Sequence, residues 1–226
     1  MPENKDGVVD RSLRPSKKSL LHETSGLLGA GSDTIANTCC VATCHALQNP
    51  EISRRLKEEL HEAWPDEDSA PDLSALEQLP YLTSFIKEAL RFSYGIVTPL
   101  PRTVGPSDAV IDGIRVPAGT DVEMSVIFMH KNPAIFRDPE TFSPDRWMDS
   151  DSKELENYLV PFSKGPRMCL GINLAWCELY LILGTIFRRL DLHLYDTTVD
   201  DFKEFKEIFV PIWRGRDLRV TKCSKV

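Results

Sequence analysis

No apolar run in the 226 residues reaches the roughly 18 residues needed to cross a bilayer, so no stretch reads as a transmembrane helix. Basic residues are in the minority, 27 against 34 acidic for a net charge of −7. That balance excludes the positive footprint of a nucleic-acid binder, and no nucleic-acid partner is expected. Cysteine is sparse: six in a chain of this length do not make a disulfide framework, and no secretory apolar segment opens the sequence. A reducing, intracellular setting is therefore expected. There is neither an internal repeat nor a low-complexity tract. What is present is the balance of a folded protein, 42% apolar and 27% charged, with length enough for a sizeable core.

The opening MPENKDGVVDRSLRPSKKS is polar and reads as a lead-in over residues 1–18, followed by one domain over 19–226 without a clean linker. A long helix is predicted from about Ser19 to Asn49. It contains Gly26, Gly29 and Gly31, each of which weakens a helix by about 1 kcal/mol relative to Ala. Asn49 caps a second helix with Pro50 in its first turn and Ile52, Leu56, Leu60 and Ala63 on one face. A third starts near Pro80 and stops at Gly95. Short β-like runs follow between Thr98 and Phe128, where Asp112-Gly113 is a strong hairpin signal. A proline-rich connection covers Asn132 to Trp147. Another long helix is predicted from Ile172 to Leu190, and LDLHLY and DLRVTK read as a closing pair of strands. The expected fold class is mainly α with small β-sheets.

The chemistry gathers in FSKGPRMCLG, residues 162–171. A lone cysteine in a folded protein is most often a small buried hydrophobe. Around Cys169, however, Gly165-Pro166 makes a tight turn and Gly171 permits close backbone approach. The following helix aims its positive end at the sulfur, and Arg167 adds a fixed positive charge. Phe162 supplies an apolar cover. These features describe an activated thiolate, open to use as a nucleophile, a redox thiol or a metal ligand.

The spacing F-x-x-G-x-R-x-C-x-G, filled by Phe162, Gly165, Arg167, Cys169 and Gly171, resembles the haem-binding loop of the cytochrome P450 monooxygenases. The resemblance implies that Cys169 is the axial thiolate on haem iron, whose electron donation favours cleavage of the O–O bond. It implies the cytochrome P450 fold, in its C-terminal portion only. In KEALR, Glu88 and Arg91 stand three apart on one helical face, and by themselves read as an exposed ion pair of little energetic weight. They match the family's E-x-x-R, whose buried pair is locked to a second arginine, matched here by Arg146 in SPDRW. AGSDT, from Ala30 to Thr34, resembles the oxygen-binding groove of the family's central helix. Gly31 would leave room for dioxygen, and the Thr34 hydroxyl would bond back to the Ala30 carbonyl and open the helix. Asp33 and Thr34 would relay protons as the catalytic pair. Arg167, and Arg102 in PLPRTV, are the implied partners of the haem propionates. His130 in MHKNP matches a position often near haem and is read as a structural histidine.

The resemblance runs from about Leu20 to the end and covers one half of a family member. The expectation is a truncated product, a partial gene model or one piece of a split chain. By family position, substrate contacts fall at Leu27, Leu28, Gly95–Leu100 and Ile208–Ile212, apolar stretches suited to an apolar substrate. The tail, with RRLDLHLYDTT and DFKEFKEIFVP, reads most like fungal, trichodiene oxygenase-like members of secondary metabolism. The implied reaction inserts one oxygen atom from O2 into a lipophilic small molecule such as a terpenoid. Haem b is the implied cofactor, with electrons from NADPH through NADPH-cytochrome P450 reductase, and a full-length relative is expected on the endoplasmic reticulum membrane. The alternatives are a catalytically inactive remnant of the fold and a peroxygenase, the latter disfavoured by Asp33-Thr34. Cys39, Cys40 and Cys44 beside His45 sketch a metal site but read as buried thiols, and Cys177 and Cys223 are uninformative.

Overall fold

The computed structural model describes residues 15–149 and 152–222. Two compact units divide the chain, Met1–Asp33 and Thr34–Val226. No linker marks the boundary, which falls within α1 (Lys17–Gln48). In the first unit every described residue is exposed; on α1, burial begins with Thr34 and Ile35. Residues 1–14 of the expected lead-in lie outside the described residues, and Lys17 and Lys18 already belong to α1.

In the second unit the helices after α1 are α2 (Pro50–Ala63), α3 (Leu73–Leu76), α4 (Pro80–Ser93), α5 (Val126–His130), α6 (Ser152–Leu155) and α7 (Ile172–Arg189). Short antiparallel strands pair as β1 (Arg102–Thr103) with β4 (Asp121–Val122) and β2 (Ala109–Ile111) with β3 (Ile114–Val116). Nearer the C-terminus, β5 (Leu192–Leu194) pairs with β8 (Val220–Lys222), and β6 (Phe205–Ile208) with β7 (Val210–Trp213). The class is the expected one, mainly helical with small sheets. Asp112 and Gly113, at φ 47° and 77°, form the β2–β3 turn with both central residues left-handed, the geometry that matches strand twist.

The core lies where α2, α4 and α7 pack together with the later part of α1. Leu56 and Leu60, Leu82 and Phe85, and Leu179 and Leu183 are wholly buried. Asn49 caps α2 by accepting the Glu51 N–H at 3.1 Å, ahead of Pro50. At the start of α4 the cap is long-range: the Glu59 carboxylate of α2 accepts the Tyr81 and Leu82 N–H groups, each at 2.8 Å. Phe85 meets Phe187 of α7 edge to face, with centroids 5.7 Å apart. Gly184 of α7 admits Leu76, since a methyl there would stand 3.3 Å from a Leu76 methyl. Tyr94 and Gly95, at φ 63° and 67°, end α4 with two left-handed residues.

His45 lies half-buried and flat against Phe142, centroids 4.5 Å apart, with Phe92 at its edge. Burial pulls its pKa down to about 4, so it is neutral at pH 7. The Cys39 and Cys44 thiols are pushed up to about 12 by burial and stay protonated. Among the described residues no group of three or more His, Cys, Asp or Glu side chains is arranged to hold a metal ion. Cys223 lies outside them. No described helix is long and apolar enough to cross a membrane.

Candidate functional site

Glu88 and Arg91 are wholly buried, not an exposed pair. Arg91 donates from Nε to Glu88 Oε2 at 3.0 Å and from Nη2 to Oε1 at 2.8 Å. Arg146 adds a bond from Nε to Oε1 at 3.0 Å, so three residues from E-x-x-R and SPDRW meet on one carboxylate. Two donors that the sequence reading missed complete it: the Trp147 indole N–H on Oε2 and the Ser143 amide on Oε1, both at 2.9 Å. The remaining guanidinium hydrogens serve carbonyls. Arg91 reaches those of His130 and Pro139 at 2.8 Å, and Arg146 that of Arg137 at 2.8 Å. A buried carboxylate is stable here because its lone pairs are filled by donors from three directions.

The Cys169 loop is shaped by two left-handed residues, Ser163 at φ 61° and Gly165 at φ 82°. Met168 N–H donates to Gly165 O at 3.0 Å, and Cys169 N–H to Phe162 O at 2.9 Å, closing the loop on itself. Phe162 is half-buried and packs beside Trp176 of α7, centroids 6.4 Å apart. Cys169 is exposed. It stands three residues before α7, an 18-residue helix whose N-cap, Gly171, provides no side-chain hydrogen bond. Free N–H groups and the positive end of the helix dipole therefore face the segment that carries the thiol. Neither φ, at −87°, nor crowding demands glycine at 171; an added methyl would touch only the Cys169 sulfur, at 4.0 Å. The space a side chain would fill is the space next to the thiol.

Arg167 and Arg102 are both exposed. Arg102 lies on β1, its guanidinium bonded to the Leu100 and Pro101 carbonyls. Among the described residues neither arginine forms an ion pair with a carboxylate; Arg167 lies within the Cys169 loop itself, whereas the hydrogen bonds of the Arg102 guanidinium go to its own chain neighbours. Gly31 and Asp33 belong to the first unit and are exposed; Thr34 begins the second and is half-buried. Helix α1 runs through residues Ala30–Thr34.

The apolar stretches divide. Val97 is 1% exposed and packs inward, which corrects its assignment as a substrate contact. Ile208, Phe209 and Ile212 are about half exposed. Phe209, at φ 69°, is the tip of the β6–β7 hairpin, and its carbonyl accepts the N–H groups of Val97 at 2.9 Å and Thr98 at 3.5 Å. Two of the stretches assigned from family position are thus joined through their main chains. Leu27 and Leu28, on the first unit, are exposed.

A family model described as Cytochrome P450 matches residues 4–215. The chain belongs to the cytochrome P450 family, and family membership implies a haem cofactor. It is 42% identical over 201 residues to the cytochrome P450 monooxygenase flvC of Aspergillus flavus, covering 88% of this chain and 36% of that protein. With the N-acetyltryptophan 6-hydroxylase ivoC of Emericella nidulans it shares 41% over 214 residues, 91% of this chain and 42% of the relative. With the tryptophan 6-hydroxylase fscE of Fusarium equiseti it shares 38% over 223 residues, 95% and 44%. The chain thus spans less than half the length of these relatives, and its likeness is to fungal monooxygenases of secondary metabolism. The residues present fit haem: an exposed thiol beside an uncapped helix start, vacant space at Gly171, and two arginines without carboxylate partners among the described residues.

Proposed function

We propose that this chain carries the haem-thiolate centre of a monooxygenase that inserts one oxygen atom from O2 into a lipophilic small molecule. The observation that supports it most directly is the exposed Cys169 thiol at the start of α7, on a loop closed by its own amide. When bound, haem supplies the activation of dioxygen. Cys169 contributes the sulfur ligand, and the α7 N-terminus stabilises its negative charge. Arg102 and Arg167 bind the two propionates of haem b, each guanidinium presenting a fork to a carboxylate. The Thr34 hydroxyl and the carboxylate of its neighbour Asp33 hold and pass protons, and Gly31 keeps the adjoining helix surface clear. Ile208, Phe209 and Ile212 contribute an apolar wall for the substrate. Two relatives named as hydroxylases of tryptophan or N-acetyltryptophan extend the candidate substrates from terpenoids to indole rings. The electron source is NADPH through a flavoprotein reductase, with the whole protein at the endoplasmic reticulum membrane.

The test is spectroscopic. Reduced, haem-loaded protein under carbon monoxide is expected to show the strongly red-shifted band of a thiolate-bound ferrous haem, and Cys169→Ala to lose it. A variant that kept the band would overturn the assignment. Thr34→Ala is expected to separate proton delivery from haem binding: haem content stays near normal, while product per electron falls several-fold and peroxide rises. Unchanged coupling would make Thr34 a helix residue only.

A further inference from the structure

We propose that His130 is a positioning residue for the Cys169 loop, its imidazole tying the buried Glu88–Arg91 pair to the backbone that carries the thiol. His130 ends α5 and is wholly buried. Its carbonyl accepts from Arg91 Nη1 at 2.8 Å, and its ring Nε2 accepts the Val160 N–H at 3.0 Å. From Val160 the path continues through the main chain. Val160 O accepts the Ser163 amide at 3.1 Å, and Phe162 O accepts the Cys169 amide at 2.9 Å. A continuous series of hydrogen bonds and short chain segments therefore leads from Glu88 to the thiol residue.

A ring nitrogen that accepts an amide N–H carries no proton, so the imidazole is the Nδ1–H tautomer. Burial, and then the Arg91 charge, hold its pKa down to about 3, which keeps Nε2 free to accept across the neutral range. The Nδ1 atom is buried and has no hydrogen-bond partner among the described residues. An unpaired buried donor is a penalty that leucine at this position would avoid. A side chain present for packing alone would not carry it, whereas one present for its acceptor must. The same segment is gripped from a second side by Gly95, where a methyl would stand 3.0 Å from the Pro161 carbonyl oxygen. Val160 and Pro161 thus run between the end of α5 and the turn that closes α4.

The tether stands on these contacts alone; its consequence for haem rests on the reading of Cys169 as the iron ligand. The experiment keeps the two apart. Amide hydrogen exchange at Val160 and Cys169 is measured in wild type, His130→Leu and His130→Gln, alongside the ferrous–carbon monoxide band. Gln places an acceptor oxygen near the position of Nε2; Leu removes the acceptor. His130→Leu is expected to speed exchange at both amides on the order of tenfold or more relative to core amides of α2, and His130→Gln to restore most of the protection. No rise in the Leu variant, or equal rises in both, overturns the tether. If His130→Leu does not fold, His130→Gln decides alone: protection within about threefold of wild type upholds the proposal, and a tenfold loss overturns it. Absence of the thiolate band from wild type would remove the ligand role of Cys169 and leave the exchange result standing.

Discussion

Glu88→Ala is expected to abolish the folded haem protein rather than slow it. The carboxylate accepts five hydrogen bonds, two from Arg91 and one each from Arg146, Trp147 and Ser143. Its removal strands a guanidinium that is 0% exposed and leaves three further donors, on Arg146, Trp147 and Ser143, without this acceptor. Breaking a buried pair from one side costs about 3–5 kcal/mol, set against a total stability of about 5–15 kcal/mol for a typical domain. The surface offers the control. Arg54 pairs with Glu51 and Glu58 on the exposed side of α2, and Arg54→Ala is expected to leave the urea midpoint nearly unchanged. Urea midpoints and haem content of the two variants decide the matter. A Glu88→Ala protein with the wild-type midpoint and full haem would show that the triad contributes nothing to the fold.

The second large effect is acid lability above the range where carboxylates titrate. His45 and His130 have folded-state pKa values of about 4 and about 3, against an ordinary value of 6.5. For a base with a depressed folded-state pKa, the unfolded chain binds more protons between those limits. Stability is then complete above pH 6.5 and falls as pH drops toward the folded-state values. With both rings contributing, the loss is roughly 2 kcal/mol per pH unit between about pH 6 and pH 5. His45→Phe preserves the stack on Phe142 and is expected to halve the slope; His130→Gln is expected to do the same by removing the other titrating ring. Urea midpoints measured from pH 7 to pH 5 check both. A flat profile in the wild type would mean that neither ring is held neutral by its surroundings.

Local chemistry was legible in the sequence where it is self-contained. Asn49-Pro50 announces the start of α2, Asp112-Gly113 its hairpin, and the Glu88–Arg91 spacing a shared helical face. The meeting of Arg146 with that pair came from the resemblance, since nothing in spacing alone brings residues so far apart together. The β6–β7 hairpin escaped notice for a physical reason. Its tip is Phe209, a left-handed residue without the usual Gly or Asn, and Pro211 lies within β7, where proline argues against a strand. The cap on α4 was equally hidden, because its acceptor is Glu59 on another helix, while the residue at the N-cap is Leu79, which offers no side-chain oxygen. His130 read as structural, and its ring does make a backbone contact; what the sequence did not disclose is that the partner is the segment leading into the Cys169 loop.

The hydrogen bond that the Val97 amide donates to the Phe209 carbonyl uses no side-chain atom of either segment. Divergence at Ile208, Phe209 and Ile212 can therefore alter the shape and polarity of the proposed substrate wall without loosening the frame on which these side chains are mounted. Such a division lets evolution, or a designer recombining related enzymes, exchange the side chains of the hairpin one at a time. The demand falls instead on backbone length: an insertion or deletion between Ile208 and Val210 would displace the carbonyl that accepts the Val97 and Thr98 amides and release that segment from the hairpin tip. Variation in this region is expected to take the form of substitution at constant spacing, with new selectivity appearing without compensating changes near Val97.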